Sequence, residues 1–168
     1  MTPDPDAVLR CAEIGRAVLE GFAARYHLTC HWVAAGCAIP GSFWGAPEAG
    51  LVGDSLYLRD DTPLHSALHE ACHYVCMDAP RRAALHKDAG GDFAEEDAVC
   101  YLQVLLADTF PGVGRARLMQ DMDSWGYTFR LGPAQAWFES DAADARRWLL
   151  HHCLIAPDGQ PTWAVRAG

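Results

Sequence analysis

The stretch "PLHSALHEACHYVCMDAP", residues 63–80, contains the pattern on which the reading of the chain turns: His69-Glu70-Ala71-Cys72-His73. On an α-helix, residues four apart lie about 40° apart around the axis and one turn apart along it. His69 and His73 therefore share a face and can aim both imidazoles at one cation. Glu70 lies about 100° from His69, at the edge of that face, where a carboxylate can touch a cation-bound water without being a ligand. This is the mechanical content of the H-E-x-x-H pattern. Zinc would supply a Lewis acid and lower the pKa of a bound water to about 7, and Glu70 would take the proton.

The flanks support a helix at this position. "SLYLRDD" (55–61) alternates Leu56 and Leu58 with Tyr57 and Arg59, which predicts a strand. Asp61 or Thr62 can then cap a helix whose first position is Pro63, running to about Met77 and stopping before Pro80. Leu64, Leu68, Ala71, Val75 and Met77 surround the histidines with apolar surface, so the pair is expected half buried. Buried imidazoles and a carboxylate need partners, and a metal is the simplest one.

A catalytic zinc takes three protein ligands and keeps one open position. The third is best sought in "DFAEEDAVCYL", which opens a helix predicted over 93–110 with Asp92 as its cap. Glu95, Glu96 and Asp97 span about 200° of that helix, so one or at most two face inward. The same acids also suit a first turn for helical reasons alone, through the macrodipole and an Asp92/Glu95 capping box. From Ala98 to Ala107 the helix is apolar all round apart from Gln103, which predicts burial on several sides.

The rest of the chain reads as one α+β domain over residues 1–168, mainly helical with a small sheet, and with the H-E-x-x-H motif on a central helix. An amphipathic first helix is expected from Asp6 to about Tyr26, and a short strand in "TCHWVAA" (29–35). The Gly/Pro-rich connection over 36–54 has the length of a functional loop. A short helix near 114–122, a strand in "YTFRL" (127–131) and helical segments over 133–152 complete the expectation. The role of the helical part over 111–168 is unassigned.

Charge and composition exclude some classes. The net charge is −9, with 13 Lys+Arg against 22 Asp+Glu, and no basic run exceeds a pair. Nucleic-acid binding is disfavoured, because neutralising a phosphate backbone needs clustered cations. No apolar window of about 18 residues offers a membrane span. Charges also punctuate the N-terminal stretch where a signal peptide would be apolar, so a cytoplasmic protein is expected. Seven cysteines without a CxxC pair argue against a disulfide framework and against a Cys-type zinc knuckle. Cys72 inside the motif and Cys76 one turn on raise the further reading of a redox-regulated enzyme.

A strand, a helix bearing HExxH and a following helix bearing an acidic ligand together resemble the zincin fold, specifically the gluzincin branch of zinc metallopeptidases. Minimal bacterial domains of the ImmA/IrrE and HtpX types are similar. The resemblance covers roughly residues 51–108. Their third ligand often sits in a pattern E-x-x-A-[DN], which selects Glu95 here, with Ala98 in the small position. Val99 then stands where an Asp or Asn would orient a histidine, and the register stays open to Glu96. The metzincin continuation is absent, since "YVCMDAPRR" follows His73.

The resemblance implies a zinc-dependent metallopeptidase acting on a peptide or protein substrate. Zinc would be held by His69, His73 and Glu95 (or Glu96), with Glu70 as the base that activates the attacking water. It also implies that the strand "SLYLR" rims the cleft and pairs with an extended peptide. A transition-state stabiliser is expected at Tyr127, with His151, His152 and His86 as further candidates. The other reading is a non-catalytic zincin-like module that senses metal or binds a protein partner.

Overall fold

Three short strands, Thr29–Trp32 (β1), Gly50–Val52 (β2) and Ser55–Leu58 (β3), form a sheet of order β1-β3-β2 in a computed structural model that describes residues 5–85 and 91–168. β3 runs parallel to β1, from Thr29 opposite Ser55 to Trp32 opposite Leu58, and antiparallel to β2 through a tight hairpin at Gly53-Asp54. Leu56 and Leu58 point into the core, as their alternation predicts. The central place of β3 overturns one expectation. Both of its edges are already paired, so "SLYLR" has no free ladder to offer an extended peptide.

The outer side of β2 is covered by the chain itself. The backbone of Pro40–Ser42 lies so close that a Cβ on Gly50 would collide with the Pro40 carbonyl oxygen. A Cβ on Gly41 would come within 2.8 Å of the Leu51 carbonyl oxygen. An edge strand closed in this way is protected from pairing with other chains.

The expected first helix is two helices, Cys11–Ile14 (α1) and Arg16–Arg25 (α2), broken at Gly15. Gly15 has φ +102°, a conformation open to glycine and few others. The turn puts Arg16 onto Asp60, beyond β3, with two hydrogen bonds of 3.0 Å.

The motif helix is Leu64–Cys76 (α3). Its N-cap is Pro63 rather than Asp61 or Thr62. The Thr62 hydroxyl instead accepts the Arg59 N–H at 2.9 Å, and the Asp61 carboxylate takes the Arg59 guanidinium. A short helix, Ala79–Ala83 (α4), starts at the Asp78 cap and carries Pro80 in its first turn, where a missing N–H is harmless. Phe93–Leu106 (α5) starts at Asp92, whose carboxylate accepts the Glu95 N–H at 2.9 Å, and ends in a 3₁₀ turn. α3 lies between the sheet and α5.

The remaining helices are Gly114–Trp125 (α6), Ala134–Ser140 (α7) and Ala143–His151 (α8). α5 also packs against α6 and α8, which is why its apolar residues run all round. "YTFRL" is not a strand: one isolated bridge, Phe129 with Gly132, closes a turn there. The fold is α+β, mainly helical with a small sheet. Among the described residues no helix is long and apolar enough to cross a membrane.

The last residues return to the end of α3. A helix leaves its final carbonyls without intrahelical donors. Arg166 N–H reaches the Val75 carbonyl at 2.9 Å, and its guanidinium reaches that of Cys76 at 3.3 Å. Arg82 bonds the Met77 carbonyl and ties down the Arg166 carbonyl at 2.7 Å. Two guanidiniums at a helix C-terminus also complement its negative end. Trp163 anchors this tail under the Arg25 guanidinium, 3.4 Å from the ring centroid, and against Phe22 and Tyr26.

The close approach at Gly50 gives a direct test of the β2 arrangement. Gly50→Ala forces Pro40–Ser42 outward and is expected to destabilise the fold by about 1–3 kcal/mol, read as a lower urea midpoint with an unchanged m-value. A midpoint equal to that of the wild type would contradict it.

Candidate metal centre

His69 and His73 project from one face of α3 as four-residue spacing requires, with their rings edge to face and their Nε2 atoms 3.1 Å apart. The carboxylate that meets them belongs to Glu96. Its Oε1 lies 3.1 Å from His69 Nε2 and its Oε2 lies 3.2 Å from His73 Nε2. Two nitrogens and one oxygen at roughly 2.0–2.2 Å from a common zinc stand roughly 3.4 Å apart in tetrahedral geometry. The three side chains are thus about as close as one divalent cation would hold them.

Glu95, the first choice from sequence, faces elsewhere. Its carboxylate is buried and receives two hydrogen bonds from Arg81, at 3.0 and 2.5 Å, and a third from Arg166 at 3.1 Å. Only half of the expected capping box is made, because Asp92 caps Glu95 while the Glu95 side chain goes to these guanidiniums. Glu96, about 100° further round the helix, consequently turns toward the histidines. Read from Glu96, the pattern E-x-x-A-[DN] ends on Cys100 instead of Val99.

The residue behind His69 is Gln103. Its Nε2 donates to the His65 carbonyl at 2.7 Å, and a carbonyl can only accept, which fixes the orientation of the amide. The Gln103 Oε1 must then face His69 Nδ1, 3.0 Å away, and accept its N–H. With Nδ1 committed as a donor, Nε2, the atom that faces His73 and Glu96, is the one left to bind a cation in place of its own proton. His65, one turn before His69, is buried and puts its Nδ1 3.1 Å from the Tyr127 hydroxyl, which also accepts from Gln103 Nε2 at 3.3 Å. Burial, then the neighbouring His69 and Arg10, pull the His65 pKa down to about 3, so it is neutral at ordinary pH.

The electrostatics favour positive charge where the three side chains meet. Burial works against a charged His69, yet Tyr127, Cys100 and Glu96 outweigh it and raise its pKa well above the usual value. Burial would raise the Glu96 pKa, but the hydrogen bond from His69 and the charges of both histidines hold it low. A cation at this point would gain from the ionised Glu96 carboxylate. Cys100, one turn after Glu96, places its sulfur within 4.8 Å of donor atoms of His69 and Glu96 and so offers a second, looser donor set.

The centre opens into a cleft of about 860 Å³. Glu70 lines it beside both histidines, as do Tyr127, Trp44 and Trp125. The Tyr127 hydroxyl, proposed from sequence as a transition-state stabiliser, is engaged by His65 and Gln103 in this arrangement. His151 and His152 lie at the end of α8 against each other and Trp148, away from the cleft lining. His86 falls outside the described residues. Cys72 and Cys76 are fully buried, and burial pushes both thiols up, which argues against the redox-regulated reading. His65, Gln103 and Cys100 were not singled out as site residues. Gln103 had carried a signal, as the one polar residue in the most apolar helix, and His65 continues the four-residue spacing of His69 and His73.

No family model matches this chain, and neither does any curated protein or solved structure.

If Gln103 holds His69 in its ligating tautomer, Gln103→Leu should weaken metal binding about 10–100-fold, while Gln103→Glu, which still accepts the Nδ1–H, should retain most of it. Competition titration against a chromogenic chelator measures both. Equal affinities in wild type and Gln103→Leu would remove the assigned role.

Proposed function

We propose that the protein is a zincin-like, zinc-dependent metallopeptidase of the gluzincin type. The observation that carries the proposal is the carboxylate of Glu96 set 3.1 and 3.2 Å from the Nε2 atoms of His69 and His73, with Glu70 beside them in an open cleft. Two imidazoles and one carboxylate form a donor set that suits zinc and leaves a coordination position for water or substrate. When bound, the metal supplies Lewis acidity and a water of lowered pKa.

The chain's own residues then have distinct tasks. His69 and His73 supply neutral nitrogen donors, with His69 held in register by Gln103. Glu96 supplies the negative donor, and Glu95 stays with Arg81 and Arg166. Glu70 would receive the proton of the attacking water and pass it to the departing amine, acting as general base and then general acid. The cleft walls would position the peptide beside these groups.

Metal analysis of purified wild type, His73→Ala, Glu96→Gln and Glu95→Gln tests the centre. One equivalent is expected in wild type and in Glu95→Gln, with loss in the other two. Retention by Glu96→Gln together with loss from Glu95→Gln would transfer the ligand role to Glu95. Glu70→Gln should keep its metal and lose about 10²–10⁴-fold in kcat on any peptide the wild type cleaves. Metal lost along with activity would refute the base assignment.

Cys100 supports a second reading, a non-catalytic metal-binding module, because a fourth protein donor would close the open position. Cobalt substitution separates the two. A sulfur-to-cobalt charge-transfer band that disappears in Cys100→Ser favours the closed module, and its absence from wild type favours the peptidase.

A further inference from the structure

The mouth of the cleft carries large apolar side chains that the fold leaves in water. Phe93, at the start of α5, is 92% exposed, and Trp44, on the loop that precedes β2, is 81% exposed. Phe43 packs edge to face on Trp44 and is itself half exposed. Trp44 and Phe93 both line the cleft at whose floor the two histidines lie. A fold gains nothing by holding such rings in solvent, and apolar surface concentrated around a concave site is the usual mark of a binding surface.

Apart from the two histidines at its floor, the charged side chains of the same lining are all acidic. Glu48, Glu70, Glu96 and Asp97 line it, with no Lys or Arg among the described lining residues. Glu48 accepts the Trp125 indole N–H at 2.8 Å, and Glu96 faces the histidines. Asp97 is exposed at the rim, one residue on from Glu96, and no described cation pairs with it. A smaller hollow of about 290 Å³ continues from Asp97 and Phe129 toward Asp141 and Asp144. The arginines near that hollow are already engaged, Arg130 with Asp141 and Arg147 with Asp144.

We propose that this cleft selects polypeptide segments in which a large apolar side chain is flanked by lysine or arginine. The apolar side chain would sit among the aromatic rings. The cation would sit between the Asp97 carboxylate and the exposed faces of Phe93 and Trp44, where charge attraction and cation–π contact act together. Away from the histidine centre, an acidic segment would meet the carboxylates of Glu48, Glu70 and Asp97. The same charge argues against an anionic membrane surface as the partner of these rings. This selectivity names the substrate class of the proposed peptidase; cleavage of the bound segment rests on that reading, while binding itself can be measured without cleavage.

The test uses calorimetric titration of the full chain carrying Glu70→Gln, with zinc present. The probes are a blocked decapeptide with Lys-Phe-Lys at its centre and the same peptide with Glu-Phe-Glu or Lys-Ala-Lys there. The Lys-Phe-Lys peptide should bind roughly tenfold more tightly than either other peptide, and adding Trp44→Ala or Asp97→Asn should each remove a several-fold part of that preference. Both positions are solvent exposed, and circular dichroism checks that the variants remain folded. Equal binding of the three peptides, binding of none, or a preference untouched by both substitutions overturns the inference. So does a Trp fluorescence shift with phosphatidylcholine vesicles in the absence of any peptide response. Peptide selectivity in a protein that holds no zinc would sink the metallopeptidase reading and leave this one standing, and zinc bound without selectivity would do the reverse.

Discussion

Glu95 stands in the first turn of α5 with its carboxylate almost sealed from solvent, and two guanidiniums reach it from separate parts of the chain, Arg81 in α4 and Arg166 close to the last position. A buried carboxylate is tolerated only when it is paired and fully hydrogen-bonded, so this contact fixes the rotation of α5 about its axis. Successive helical residues differ by about 100°, and turning Glu95 to the arginines turns Glu96 to the histidines. The same Arg166 also satisfies carbonyls at the end of α3. One side chain thereby joins the end of the histidine helix to the start of the carboxylate helix, and the centre between them inherits its spacing from that junction.

α3 carries the other half of the arrangement. His65, His69 and His73 recur every four residues, so they form a row along one face, while Leu64, Leu68, Ala71 and Val75 are buried in the core. Placed between the sheet and α5, the helix has only its cleft-facing edge near water, which is where Glu70 lies. His65 is neutral and locked to Tyr127, and it acts through its backbone carbonyl, which orients Gln103 and through it His69.

The parts that were legible in the sequence are those decided within one helix or one strand. The H-E-x-x-H spacing located the histidine pair, the alternation of Leu56 and Leu58 located β3, and Asp92 before an apolar run located the start of α5. What sequence left open depends on contacts between distant segments. Which of Glu95 and Glu96 faces the histidines depends on Arg81 and on Arg166, the latter 71 residues beyond Glu95. The central place of β3 depends on β1 returning parallel to it across the long connection, which no local pattern encodes. Gly15 was visible, yet the apolar period runs through it and disguised the break between α1 and α2.

Gln103 carries a consequence for the chemistry of the proposed centre. A carboxylate behind a ligating histidine draws the Nδ1 proton toward itself, makes the imidazole more electron-rich and adds a negative charge close to the metal. An amide oxygen accepts the same hydrogen bond without that charge. With two neutral imidazoles and one carboxylate as donors, a divalent cation would keep a net positive charge, and its power to polarise a carbonyl and acidify a water would be the greater for it. Glu70, Asp97 and Glu48 stand near enough to temper the field of the cleft but not among the donors. In the proposed peptidase, two tasks that one carboxylate could have combined are thereby separated: Gln103 would orient the histidine, and the acids of the cleft would be left to handle protons and to meet the substrate.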